Sequence, residues 1–211
     1  MKLFTTCVMA CLLLFAPHAA TAEYRDILQE WGAVQVPEKP PVQAVSVDHS
    51  TTALLILDIE ELTCNEERRP RCLETVPRIE ALMRKARNAG MPVIYSLTTR
   101  GTRESILPPV TPRQIDPVVQ SSVDKFFNTP LAAILDDMRI KAVIVTGTAA
   151  HGAVLHTATG AAQRGLQVIL PVDALSASSL YIEQAAVWLL HTGPATSQRL
   201  ILTRTADISV Q

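Results

Sequence analysis

The stretch Lys141–Asp173, KAVIVTGTAAHGAVLHTATGAAQRGLQVILPVD, limits the fold more than any other part of the chain. It opens on a β-branched apolar run, Ala142 to Val145, passes through a turn of small residues, Gly147 to Ala150, and continues in a segment of helical pattern from His151. A second apolar run, Val168 to Leu170, closes it. Buried parallel strands read as continuous apolar runs, so the pattern is strand, tight turn, helix, strand. In open parallel sheets ligands bind where strand C-termini meet helix N-termini, which makes the Gly147–Gly152 turn the first place to look for a site.

With 211 residues, 48% of them hydrophobic, the chain can build one domain with a substantial core. Its 19 basic and 20 acidic residues nearly cancel, so no large field favours nucleic acid or an anionic membrane. An aromatic content of 4% also leaves little for stacking on bases. Residues 1–22 read as a cleaved export signal. Lys2 is the positive end, Leu3 to Ala16 the apolar region, and Ala20-Thr21-Ala22 the cleavage site. The expected location is therefore periplasmic or secreted, with no membrane attachment after cleavage. The mature chain keeps two cysteines, Cys64 and Cys72. An even pair in an oxidising compartment points to a disulfide closing a short arginine-bearing loop. Two free thiols, or a reactive Cys64, are the alternatives.

Residues 23–50 read as an N-terminal arm. A short helix is expected over Tyr24 to Trp31, followed by an extended segment at Val36-Pro37-Glu38-Lys39-Pro40-Pro41. Residues 51–211 read as the domain. Ala53 to Leu57 is a buried strand ending on Asp58, and a buried strand has little reason to end on a carboxylate unless the carboxylate has a task. Of the neighbouring acids, Glu61 reads as a surface charge. Glu74 to Ala89 has an apolar face of Val76, Ile79, Leu82, Met83 and Ala86, and Gly90 caps it. Strands are expected at Pro92 to Leu97, Asp116 to Val119, Ala142 to Thr146, Val168 to Val172 and Leu200 to Thr203. Helices are expected at Pro130 to about Arg139, with Thr129 as N-cap, at His151 to Arg164, and at Leu180 to His191. The proline-rich segment Thr98–Pro117 reads as a lid or a subunit contact. Alternating strands and helices of this length imply a mostly parallel α/β sheet covered on both faces.

Ala53-Leu-Leu-Ile-Leu-Asp58, Phe126-Phe127-Asn128-Thr129-Pro130-Leu131, Val143-Ile-Val-Thr-Gly147, Thr157-Ala158, Arg164-Gly165 and Val172-Asp173-Ala174 occur in an order and spacing that resembles the isochorismatase-like hydrolases. That family includes isochorismatases and cysteine amidohydrolases such as nicotinamidases. The resemblance covers Ala53 to Thr203 and implies a three-layer α/β/α fold around a six-stranded, mostly parallel Rossmann-like sheet, often in a homo-oligomer. It also implies an Asp after the first strand, a Lys before the central helix and, in the cysteine hydrolases, a nucleophilic Cys on the turn after the fourth strand.

Carried over residue by residue, Asp58 matches the Asp, and Ala153 stands at the Cys position. A methyl group cannot attack a carbonyl. An ungapped alignment through Phe126 puts Gln120 at the Lys position, and Lys125 reaches it only with a local shift. Ala150-His151 resembles the Ala-His pair of true isochorismatases. Those cleave a vinyl ether with a general acid and water, without a covalent nucleophile. The resemblance thus implies Asp58 and Lys125 as catalytic groups. Ala149, Ala150, His151, Ala153 and Phe126 would lie around a small-molecule substrate. A helix-terminal role for His151 is the competing reading. The Asp-x-His element of zinc-binding relatives is not evident, and neither a metal nor a cofactor is expected. Export makes isochorismate itself an unexpected substrate. Two readings stay open: a hydrolase using Asp58 as general acid or base, and a catalytically silent member that binds a small ligand or serves in an assembly.

Overall fold

The computed structural model describes residues 24–211; the proposed signal segment lies outside them. The described chain divides into two compact units that part between Glu38 and Lys39. In the first, the expected helix is replaced by turns and a 3-10 turn at Trp31–Ala33. The Asp26 carboxylate accepts from the N–H groups of Leu28 and Gln29, a local turn that competes with a helix start. The proline-rich segment that follows has no regular structure.

The second unit opens at Lys39, earlier than the expected boundary at residue 51. It claims β1 (Val45–Val47), which pairs in parallel with β9 (Ile208–Val210) in a separate two-stranded sheet. The main sheet comprises β2 (Thr52–Leu57), β3 (Val93–Leu97), β4 (Val118–Gln120), β5 (Ala142–Thr148), β6 (Gln167–Pro171), β7 (Leu175–Ser176) and β8 (Leu200–Thr203). Its order is β4-β3-β2-β5-β6-β8, with β7 added beside the end of β5, and every pairing is parallel. The expected six strands form the continuous path, and β7 is an addition. A strand of two residues carries no periodic signal.

Both faces of this sheet are covered, and β2 shows why its sequence is apolar at every position. Ala53, Leu55 and Leu57 enter one core with α2 (Leu131–Asp137), α3 (Leu155–Gln163) and α4 (Leu180–Thr192). Leu54 and Ile56 enter the other with α1 (Pro70–Asn88). Successive side chains of a strand point to opposite faces, so a strand covered on both sides must be apolar throughout. The expected face of α1 is the buried one, although the helix starts four residues before Glu74, with Pro70 at its first position. Gly90, at φ 78°, ends it. The result is a three-layer α/β/α sandwich whose central neighbours are β2 and β5.

Candidate active site

The C-terminal ends of β2 and β5 lie side by side, because Leu57 pairs with Gly147. Gly147 has φ 121°, and a Cβ there would sit 2.1 Å from the Leu57 carbonyl oxygen. Only glycine allows the two strands to end this close together. Asp58 follows immediately, at φ 53°, in the left-handed region that a non-glycine residue seldom adopts. Such a backbone is often found where a side chain is aimed for a purpose.

Its carboxylate is almost fully buried. Oδ1 accepts from the Ser96 hydroxyl at 2.7 Å and lies 2.9 Å from Lys125 Nζ. Oδ2 has no hydrogen-bond partner among the described residues and is not fully sealed from solvent. Lys125 is fully buried, and its ammonium also donates to the carbonyls of Leu97 at 3.1 Å, Ser121 at 3.0 Å and Ser122 at 2.7 Å. Burial pushes the Asp58 carboxyl above its ordinary value, against the opposing pull of Lys125 and of the Ser96 hydroxyl.

Lys125, and not Gln120, therefore stands beside Asp58. The Gln120 amide instead donates to the carbonyls of Thr98 and Gly101, tying down the loop after β3. The local shift that an ungapped alignment lacks is the run of bends and turns between β4 and α2, which brings the Lys125 ammonium to the Leu97 carbonyl at the end of β3. Its own N–H is fixed by the Thr157 hydroxyl of α3 at 3.2 Å.

The turn after β5 departs from the expected regular helix. The Thr148–Ala149 peptide is cis, and Ala150–Val154 forms a π turn in which Gly152 takes non-helical angles. Regular α-helix begins only at Leu155. The N–H groups of Gly152 and Val154 both donate to the Ala149 carbonyl, so these two donors are consumed within the turn rather than free for a substrate. Ala149, Ala150 and Ala153 are buried at the turn, while His151 is exposed. Phe126 sits elsewhere in character. It is 5% exposed in the core, with Gly160 against its edge and the Arg164 guanidinium 4.3 Å from its ring centroid, which leaves it little surface to offer a substrate.

Sequence reasoning missed Glu60. While Glu61 is exposed as expected, Glu60 is fully buried and accepts from the Thr98 hydroxyl at 2.5 Å and the Thr98 N–H at 3.3 Å. A Cβ at Gly101 would lie 1.8 Å from its Oε2. Glu60 thus latches the segment after β3 onto the end of β2. Nothing local in Asp58-Ile59-Glu60-Glu61 separates the buried acid from the exposed one, because its partners lie about forty residues away.

Cys64 and Cys72 form a disulfide, with sulfurs 2.02 Å apart, that joins the segment after Asp58 to the first turn of α1. The Thr63 hydroxyl donates to the Asp58 carbonyl, so the disulfide loop starts next to the site. The concavity lined by Pro77, Arg78, Ala81, Lys85 and Ala206 lies on the outer face of α1 and includes none of these groups. Among the described residues no cluster of His, Cys, Asp and Glu could hold a metal ion.

An Asp–Lys pair thus stands at the end of a central strand of the parallel sheet, and the neighbouring strand runs into a turn of small residues. The family model described as Isochorismatase domain matches residues 52–199, and the chain belongs to that family. A curated relative, "Secreted isochorismatase effector Isc1" of Verticillium dahliae, is 33% identical over 110 residues, which cover 47% of this chain and 58% of the relative. The chain thus matches little more than half the length of that protein. Among solved structures, an isochorismatase family protein from Desulfovibrio vulgaris superposes with a TM-score of 0.68 at 18% identity, over 74% of this chain and 95% of the other. A cysteine hydrolase from Pseudomonas syringae pv. phaseolicola has a TM-score of 0.68 at 18% identity, covering 80% and 95%. N-carbamoylsarcosine amidase from Thermoplasma acidophilum reaches 0.63 at 21%, covering 74% and 96%. At these identities the likeness is one of fold.

Proposed function

We propose that this protein hydrolyses a small vinyl ether of the isochorismate type by general acid catalysis, without a covalent nucleophile. The observation that carries this reading is Asp58. It is a desolvated carboxyl with one oxygen held by Lys125 and Ser96 and the other open. The neighbouring turn, at the position where a nucleophile would attack, offers only the methyl group of Ala153.

In the proposed reaction Asp58 gives its proton from Oδ2 to the terminal vinyl carbon. The electron pair of the double bond forms the new C–H bond, and the ether oxygen shares the positive charge left on the adjacent carbon. Water adds to that carbon and returns a proton to Asp58. The resulting hemiketal then breaks its C–O bond to the alcohol, its hydroxyl proton passing to the departing oxygen, and a ketone remains. A raised carboxyl pKa supplies the proton, and Lys125 stabilises the carboxylate left behind.

A secreted relative whose name carries isochorismatase supports the reading that an exported protein can meet such a substrate. The Cys64–Cys72 disulfide supports an oxidising, extracytoplasmic setting, periplasmic or secreted. Ala153 alone would equally suit a silent, ligand-binding member. The Asp58–Lys125 contact favours the enzyme, since burying two ionisable groups side by side is costly. A panel of vinyl ethers, amides and ureides tests the proposal. Turnover of isochorismate to pyruvate, with amides and ureides untouched, is expected. A folded protein that releases pyruvate from no vinyl ether would sink the enzyme reading.

A further inference from the structure

The loop closed by the Cys64–Cys72 disulfide carries a cation that the reaction above does not use. Arg69 is half-buried, and among the described residues it makes no ion pair. One of its N–H groups donates to the Thr63 carbonyl at 3.2 Å, and the hydroxyl of the same Thr63 donates to the Asp58 carbonyl. These two hydrogen bonds tie the guanidinium, through Thr63, to the main-chain carbonyl of Asp58. Its remaining N–H groups have no hydrogen-bond partner among the described residues and are not fully sealed from solvent.

Its backbone is fixed from both sides. The Arg69 N–H donates to the Asn65 carbonyl at 2.9 Å, and the Cys72 N–H donates to the Arg69 carbonyl at 2.9 Å. Burial, then the neighbouring Arg68, pushes the guanidinium pKa down, and the charge of Asp58 opposes them. A desolvated cation without a counter-ion is costly unless an anion completes it. The two arginines beside it in the loop differ. Arg71 is engaged bidentately by Glu183, and Arg68 is exposed and bonded to the Leu62 carbonyl. Only Arg69 is partly buried, near Asp58 and without an anion.

We propose that Arg69 binds a carboxylate of the substrate, and that the Cys64–Cys72 loop is the device that holds it at the mouth of the Asp58 site. The planar guanidinium fork matches a carboxylate. The proposal deepens the vinyl-ether reading and rests on it for the place where substrate binds. What it adds is the residue that recognises the carboxylate, and it makes that recognition depend on an intact disulfide.

The test is a titration of isochorismate into the folded Asp58→Asn protein and into the same protein carrying Arg69→Ala, Arg69→Gln or Arg69→Lys. 2-Methoxyacrylate and its neutral methyl ester serve as a matched second pair of probes. Thermal melts confirm that each variant is folded, and Arg69→Gln covers a failure of Arg69→Ala to fold. Arg69→Ala is expected to weaken isochorismate at least tenfold, and Arg69→Lys to recover part of the loss. The acid probe should bind in preference to the ester. In the otherwise unchanged enzyme, Arg69→Ala and the paired Cys64→Ser/Cys72→Ser variant should both raise KM while kcat stays within about threefold.

An unchanged Kd for isochorismate on removing Arg69, equal binding of acid and ester, or no saturable binding of either carboxylated probe would each overturn the proposal. If binding depends on Arg69 but the wild-type protein releases no pyruvate, the anion site stands and the hydrolase reading falls. If pyruvate is released with a KM indifferent to Arg69, the hydrolase reading stands and the anion site falls.

Discussion

Asp58 carries the proposed chemistry, and its surroundings set a direction that can be measured. The folded state raises its pKa, so the native protein holds that proton more tightly than the unfolded chain does. This group's contribution to stability is fully present below the ordinary carboxylate pKa and is lost as pH rises through the folded-state value. Urea titrations across the acidic and neutral range should show that loss, and Asp58→Asn should flatten this part of the profile. If Asp58 is the acid, kcat/KM should also fall as pH rises through the same pKa, because only the protonated form can donate. A pH-independent kcat/KM over that window would remove Asp58 from the acid role. Gly147 governs the same spot from the neighbouring strand. Gly147→Ala combines a φ of 121° with a Cβ driven into the Leu57 carbonyl, and it should cost at least about 3 kcal/mol in chemical denaturation. A loss below about 1 kcal/mol would mean that the strand ends separate easily.

At the scale of elements, legibility followed the strength of the local pattern. β2 and β8 were readable because continuous apolar runs leave a strand no exposed face to explain. β1, β7 and β9, of three, two and three residues, lie below the length at which any period can be counted. The π turn at Ala150–Val154 was hidden for a different reason. Ala-His-Gly-Ala-Val suits a helix start, and the irregular geometry comes from Gly152 and from the pairing of Gly147 and Thr148 with β7. Of the candidate site, Asp58 and the turn could be read directly. Lys125 could not be separated from Gln120, because which of them reaches β2 depends on how the chain between β4 and α2 bends. The link from Cys64 to Cys72 is an element in its own right, since it staples the residues after Asp58 to α1. Replacing both cysteines with serine should cost about 2–3 kcal/mol from the released loop entropy, read as a lower denaturation midpoint. No change in the midpoint would show that the hydrogen bonds of the loop hold it without the sulfurs.

For the molecule as a whole, the domain from Lys39 onward is a frame that brings distant segments to the ends of the central strands. Asp58 comes from β2, Ser96 from β3, Lys125 from the bend before α2 and the Ala149–Ala153 turn from β5. The parallel order that places β2 and β5 side by side follows from apolar runs alternating with amphipathic helices. Family membership and fold rest on that frame, whereas the proposed activity rests on one carboxyl oxygen. The most direct measurement is pyruvate release from saturating isochorismate by wild-type protein and by Asp58→Asn, with circular dichroism confirming that both are folded. Loss of a general acid should lower kcat by about a hundredfold to ten-thousandfold. Equal kcat in the two proteins would contradict the account.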